Sequence, residues 1–357
     1  MTIRGTFDTG DGNDRISGNS GIFPGVSTSG VSNYSSTFNT GDGNDTIDGS
    51  GSYGIYNAAL INTGNGKDII TANGANNLVY NDSSGIYNFG TINTGNDDDI
   101  ITVNWGIKNY GNIDIGEGDD SIIVGKPNYP YFDAFENFAV IEAGGGDDII
   151  TSHDRIYNKG RIDTGGGDDS IIANYYGTPY LGVLALTNST DNVIETGEGN
   201  DIITSTAVGT DFGPNGGVIK TGSGISNDGT INTGNGQDSI ISVGNFTNKG
   251  WVFLEDGNDS LTASIIAEVG LPNRAIENFN AIETGDGDDI ITSTGVIYNE
   301  GIINTGNGDD SIIVEGGVDG TGTGYGIYNN GGNINTGDGN DSIIANEGFE
   351  SGLNRAC

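Results

Sequence analysis

A single phrase, T-G-x-G-x-D-x-I, recurs along this chain, and a chain that keeps repeating one turn and one short apolar triplet has few folds open to it. It is written most fully over residues 282–313, IETGDGDDIITSTGVIYNEGIINTGNGDDSII. Gly285 and Gly287 frame a tight turn, Asp289 follows two residues later, and a β-branched pair comes next. Twenty-one residues on, Gly306, Asp310 and Ile312 repeat the pattern, and a different phrase, VIYNEGII, lies between at 296–303. Glycine supplies the positive-φ backbone that such turns need. The period therefore predicts two short strands and two turns, one coil of a β-solenoid.

In D-x-I-I the isoleucine two after the aspartate points inward if strand faces alternate. That position is Ile16, Ile47, Ile70, Ile101, Ile122, Ile150, Ile171, Ile203, Ile240, Leu261, Ile291, Ile312 and Ile343, an expected core ladder through thirteen coils. The first turn glycines are Gly10, Gly41, Gly64, Gly95, Gly116, Gly144, Gly165, Gly197, Gly234, Gly285, Gly306 and Gly337, with Glu255 standing in once. Gaps between them are short, at 21 to 23 residues, or long, at 28 to 37, so the larger repeat is a coil pair of roughly 52 residues with insertions on alternate coils. Residues 135–172 echo 276–313 at an offset of 141, which points to growth by copying blocks of coils. A degenerate copy at 219–224 lacks its aspartate and reads as a loop.

A repeat overrides the two-domain expectation that 357 residues would raise, because a solenoid grows in one dimension. The sequence predicts one solenoid over 1–349 and a C-terminal tail over 350–357. Twelve Lys and Arg face 49 Asp and Glu, a net charge of −37, which excludes nucleic acid as a partner. Such a chain repels itself when folded and calls for cations at its acidic turns. No apolar run is long enough to span a membrane, and Phe7 already lies in a repeat with no signal-peptide core before it, so export is expected by another route. One cysteine, Cys357, rules out an internal disulfide framework and leaves an inert thiol or an intermolecular bridge.

The turns TGDGNDTI, TGEGNDII and GGGDDSII resemble the repeats-in-toxin family, the haemolysin-type calcium-binding repeats, whose pattern is G-G-x-G-x-D-x-U-x with U aliphatic. The resemblance covers nearly the whole chain. It implies an all-β, right-handed parallel β-solenoid like a β-roll, in which turn carbonyls and the repeated aspartate hold Ca²⁺ in secreted bacterial proteins. Carried over, the metal residues are Asp14, Asp45, Asp68, Asp99, Asp120, Asp148, Asp169, Asp201, Asp238, Asp259, Asp289, Asp310 and Asp341. Independently, a hard divalent cation takes six to eight oxygens, and turns supply carbonyls beside a carboxylate. Carboxylates stacked about 4.8 Å apart also need a cation between them. Asp11, Asp42, Asp119, Asp147, Asp168, Asp288 and Asp309 deepen the negative field.

The pattern departs from the family at the other end of the coil, where I-Y-N-x-G-x-I at 86–92, 156–162 and 297–303 resembles filamentous-haemagglutinin-like solenoids. Calcium is therefore expected along one edge. Asn57, Asn88, Asn109, Asn158, Asn227, Asn248, Asn299 and Asn329 are expected to form an amide ladder, with a ligand or sugar contact as the alternative. Lys67, Gln237 and Glu255 put the metal sites of their coils in question. His153 is the only histidine, and every carboxylate pair recurs with the period, so no place in the chain stands out as catalytic. The sequons at Asn33 and Asn188 are discounted because the repeat itself generates such strings.

Aromatic and apolar insertions, with Tyr129, Tyr131, Phe132 and Phe135 in one and Tyr175, Tyr176, Tyr180, Leu181, Val183 and Leu184 in another, are expected to form a side ridge, as flaps or as a contact surface. The function these features suggest is a calcium-binding structural rod at the cell surface or outside the cell. It would polymerise through solenoid ends or the insertion ridge into a filament, sheath or surface layer, and resembles repeat-rich surface proteins of bacteria such as cyanobacteria. The alternative is an adhesin that binds a glycan on the same scaffold.

Overall fold

The computed structural model describes residues 1–19, 29–74, 84–125, 135–177, 184–213, 216–265, 273–316, 325–346 and 348–351. The chain is a parallel β-solenoid divided into two compact units, Met1–Ile172 and Ala173–Cys357. No described segment forms a helix long and apolar enough to cross a membrane.

A coil in either unit is built from three short strands, each pairing in parallel with its equivalent in the neighbouring coil. In the first unit one coil runs Ile107–Asn109, Asn112–Asp114 and Ser121–Gly125. Its strands pair onward with Phe135–Asn137, Val140–Glu142 and Ile149–Ser152. In the second unit Val296–Asn299, Ile302–Asn304 and Ser311–Val314 make the same coil. The two-stranded, two-turn coil expected from the period is thus corrected to three strands and three corners. The phrase I-Y-N-x-G-x-I is two strands, because the residue pair after the asparagine bends sharply and the backbone resumes along a new face. In the first unit Asn109 ends one strand and Asn112 starts the next.

Three inward columns fill the core. In the first unit they are Ile86, Ile107, Phe135 and Ile156 on the first strand, Ile92, Ile113, Ile141 and Ile162 on the second, and Ile101, Ile122, Ile150 and Ile171 on the third, all 0% exposed. The second unit repeats this with Ile276 and Ile297, Ile282 and Ile303, and Ile291 and Ile312. Each buried isoleucine contributes about 1.5–3 kcal/mol of transfer free energy, so coils are held by many equal small terms. The expected third-strand ladder is present, except that Ile343, in register with Ile312, remains 44% exposed.

The insertions leave the third strand and return at the first, for example between Gly125 and Phe135. Phe135 belongs to no ridge: it is a core residue in register with Ile107 and Ile156. Tyr129, Tyr131, Phe132, Tyr180, Leu181, Val183, Cys357 and the side chain of Tyr176 lie outside the described residues. The degenerate copy near 219–224 is not a loop. Gly216–Thr221 pairs antiparallel with Ile202–Gly213, Val208 opposite Thr221, as a hairpin that extends the third strand.

Candidate metal centre

The T-G-x-G-x-D phrase forms the corner between the second and third strands. Gly116 shows why glycine is needed there: its φ is 96°, and a Cβ on it would stand 1.5 Å from the carbonyl oxygen of Gly95 one coil away. At Gly116 the backbone conformation and the close approach of the next coil both favour glycine. Asp97 and Glu255 occupy turn-glycine positions with φ of 78° and 66°.

The aspartate that ends each turn points inward. Asp45, Asp68, Asp99, Asp120, Asp148, Asp169, Asp201, Asp238, Asp259, Asp289 and Asp310 are buried to 1% exposure or less, and Asp14 and Asp341 are half-buried. Within each unit the Oδ1 of one aspartate accepts the backbone N–H of the aspartate in the preceding coil. In the first unit Asp14 N–H donates to Asp45 at 2.7 Å, Asp45 to Asp68 at 2.7, Asp68 to Asp99 at 2.7, Asp99 to Asp120 at 2.6, Asp120 to Asp148 at 2.8 and Asp148 to Asp169 at 2.8. In the second unit Asp201, Asp238, Asp259, Asp289 and Asp310 donate in turn to Asp238, Asp259, Asp289, Asp310 and Asp341 at 2.8, 2.8, 2.8, 2.9 and 3.1 Å. All thirteen residues singled out in the sequence thus share one structural position.

The second oxygen separates them. Oδ2 of Asp14, Asp45, Asp68, Asp99, Asp120, Asp148, Asp238 and Asp259 is buried with no hydrogen-bond donor. Oδ2 of Asp289 and Asp310 accepts from the Thr284 and Thr305 hydroxyls at 2.5 and 2.6 Å. The threonine that opens the turn is a participant the sequence reading missed, although it stands in the repeat phrase itself. Thr284 also reaches Thr305 O up the stack at 3.2 Å, as Thr63 reaches Thr94 O at 3.0 Å and Thr94 reaches Ile115 O at 2.8 Å. Thr63 and Thr94 then stand beside Asp68 and Asp99 and ease their ionisation without giving Oδ2 a full donor.

Burial pushes these carboxyls up, to about 6 at Asp68, Asp120, Asp238 and Asp289, about 7 at Asp99 and about 8 at Asp148 and Asp259. Backbone N–H bonds pull the other way in every case, and neighbouring carboxylates add to the rise. The two highest values fall in coils where Ala143 and Leu254 replace the threonine, while Asp120, beside Ile115, stays at about 6.

Outside this row lies a second one. The exposed Asp98, Asp119 and Asp147 accept backbone N–H bonds from Asp119, Asp147 and Asp168 at 3.2, 3.0 and 2.8 Å, and Asp288 accepts from Asp309 at 2.8 Å. Asp11 and Asp42 sit exposed at turn tips. Lys67 forms an ion pair with Asp98, and its own coil keeps Asp68 in place. Gln237 and Glu255 likewise leave Asp238 and Asp259 in the ladder. Among the described residues no three acidic, histidine or cysteine side chains gather as a cluster. The corner instead offers one inward carboxylate oxygen per coil beside turn carbonyls, a hard-oxygen set that a proton or a hard cation can balance.

The corner between the first and second strands carries the asparagines as a buried ladder. Asn57 Nδ2 donates to Asn88 Oδ1 at 2.8 Å, Asn88 to Asn109 at 2.8 and Asn109 to Asn137 at 2.9. Asn227, Asn248, Asn278 and Asn299 do the same in the second unit, at 2.9, 2.9 and 2.8 Å. Asn33, Asn137, Asn188 and Asn278 belong to it too, a fact readable from VSN, FEN, LTN and IEN in the places of I-Y-N. Asn33 and Asn188, the sequon asparagines, are 0% exposed.

The chain matches no protein-family model and no curated protein. Among solved structures it is similar to a hyperactive, Ca²⁺-dependent, β-helical antifreeze protein from an Antarctic bacterium, at 18% identity and a TM-score of 0.46, over 94% of this chain and 80% of that one.

Proposed function

We propose that the chain is a calcium-binding structural β-solenoid, a self-associating component of an extracellular filament, sheath or surface layer. The observation that carries this reading is the aspartate corner: eight buried carboxylates each keep one oxygen without a donor, in a chain of net charge −37. Desolvated carboxylates without a counter-charge are costly, and they recur coil after coil where a repeated cation, in place of protons, answers them. Oδ2 of Asp14, Asp45, Asp68, Asp99, Asp120, Asp148, Asp238 and Asp259 are the atoms that meet the ion. Asp169, Asp201 and Asp341 belong to the same row, and Asp289 and Asp310 join it by releasing Thr284 and Thr305. Bound Ca²⁺ supplies charge balance and cross-links adjacent turns, and no residue is assigned a catalytic role.

Electron microscopy of the purified chain in millimolar Ca²⁺ and after chelation, with circular dichroism of both samples, tests the reading. Assemblies that disperse as the β-signal falls support it. A β-signal indifferent to chelation overturns the calcium assignment, and discrete short rods overturn the assembly.

An adhesin is the second reading, now favoured by residues other than the insertions. Phe89 and Tyr110, both exposed, and the half-buried Phe138 form a stack on the asparagine corner, with ring centroids 5.1 and 4.6 Å apart. Loss of glycan retention on changing Tyr110 to Ala, with the fold intact, is its signature.

A further inference from the structure

Among the described residues, the third strand presents a face that differs in composition from the outward faces of the first and second strands. Its outward positions are the residue after each ladder aspartate and the residue two further on. In the eleven coils whose third strands begin between Ile69 and Ser342, these positions hold only isoleucine, serine and threonine, although the chain carries 49 acids. The strands read D-I-I-T or D-S-I-I, so nearly every one shows one isoleucine and one hydroxyl. The single exception is Ser260 with Thr262.

Six of the ten isoleucines are exposed, Ile69 41%, Ile100 38% and Ile149 42% in the first unit and Ile202 41%, Ile290 45% and Ile344 49% in the second, while Ile123, Ile172, Ile241 and Ile313 are half-buried. Register aligns them in columns, Ile69 beside Ile100 and Ile100 beside Ser121, with Thr71, Thr102 and Ile123 in the next column. The only ionised residues in these two columns, Arg15 and Asp48, lie in the first two coils and pair with each other. By contrast, the outward second strand carries Asp114, Glu142 and Glu283, and the first carries Lys108, Glu136 and Glu277.

We infer that this charge-free face is where a second copy of the chain packs, sheet face against sheet face. The inference deepens the self-associating reading above and rests on it. Two copies of charge −37 repel one another, and an acid trapped at their contact has no partner of opposite sign, so contact is favoured where neither copy brings an acid. A large isoleucine beside a small hydroxyl on each strand gives ridges and hollows that a second such face can fill across the roughly 10 Å separation of packed sheets. Hydroxyls can satisfy one another within the column, as Ser239 and Ser260 do at 2.8 Å, so burying them leaves little unpaired. Five or six strands about 4.8 Å apart and about 16 Å long give roughly 400 Å² in each unit, about half of the roughly 800 Å² per partner of a standard interface. The same face twice, related by a two-fold axis, makes the contact isologous.

Sedimentation of the full chain in Ca²⁺ tests this, comparing wild type with the pair Ile100→Glu and Ile149→Glu, the milder pair Ile100→Ser and Ile149→Ser, and Thr91→Glu on the outward second strand as control. Wild type and T91E are expected to associate. The glutamate pair is expected to weaken association about tenfold or more, and the serine pair less, both with the wild-type circular dichroism and its response to chelator. A glutamate pair that assembles like wild type overturns the inference, and if that pair misfolds, the serine pair assembling like wild type does so. Wild type that stays monomeric overturns it as well, including a monomer that instead adheres to a flat crystalline solid. Failure of the calcium assignment reads separately, as a dichroism signal that ignores chelation.

Discussion

Two corners of one coil stack identical side chains up the solenoid and differ by one group per residue. At the asparagine corner the amide both gives and accepts: Asn109 donates to Asn137 Oδ1 at 2.9 Å and to Val140 O at 2.8 Å, and accepts from Asn88 at 2.8 Å. At the aspartate corner the carboxylate can only accept. Asp120 takes the Asp99 N–H at 2.6 Å, and its other oxygen takes nothing. A neutral ladder closes on itself, whereas a charged ladder needs charge from outside, a proton or a cation. The same architecture therefore holds one edge that is self-sufficient and one that depends on what the solution contains.

The largest test of that contrast is pH in the absence of divalent ions. Asp68, Asp99, Asp120, Asp148, Asp238, Asp259 and Asp289 have folded-state pKa values raised to between about 6 and about 8. The unfolded values are near 3.9, so between about pH 4 and pH 8 the folded chain holds more protons than the unfolded one, and stability falls as pH rises. In chelator the melting temperature is expected to drop by about 10 °C or more from pH 5 to pH 8, and millimolar Ca²⁺ to cancel most of that drop. Thermal melts across pH read it directly, and a flat profile in chelator removes the distinction between the corners.

Asn109→Leu comes next. It takes away the Nδ2 donor of Asn137 Oδ1 and Val140 O and one of the acceptors of the Asn88 amide, which keeps Asn112 O and Gly90 O, at a cost of about 2–4 kcal/mol that is the same with and without calcium. Denaturant melts in both conditions check it, and a calcium-dependent cost places the ion's influence at the wrong corner.

Asp148→Asn is the smallest effect and the sharpest. It removes a carboxyl whose pKa stands at about 8, so at about pH 9, where that buried group is charged, it is expected to stabilise by about 1–2 kcal/mol without calcium and to destabilise by a similar amount with it. One sign in both conditions would contradict an ion at that carboxylate.

Much of this was legible in the repeat. The parallel solenoid, the third-strand ladder through Ile101 and Ile122, the shared position of the thirteen aspartates and the amide ladder all follow from one period, because each coil must place the same residue over its neighbour. The number of strands was not, since the bend after Asn109 spans two residues inside a phrase whose apolar ends look continuous. Thr284 and Thr305 were hidden for another reason. Threonine is written in nearly every turn, but whether its hydroxyl comes within reach of its own aspartate depends on a rotamer that letters do not carry. Phe135 was misplaced because an aromatic residue next to an insertion looks like part of it, while register makes it the equivalent of Ile107.

The glycine that cannot accept a Cβ at Gly116 has an evolutionary side. Because every coil offers its neighbours the same closely fitted outline, coils behave as interchangeable parts. A copied block such as 276–313 docks wherever 135–172 does, with Asn278 standing for Asn137, Asp289 for Asp148 and Asp310 for Asp169. Recombination can lengthen or shorten such a chain by whole coils without inventing a new interface, so its length is an adjustable quantity while the shape of each coil is nearly immune to change.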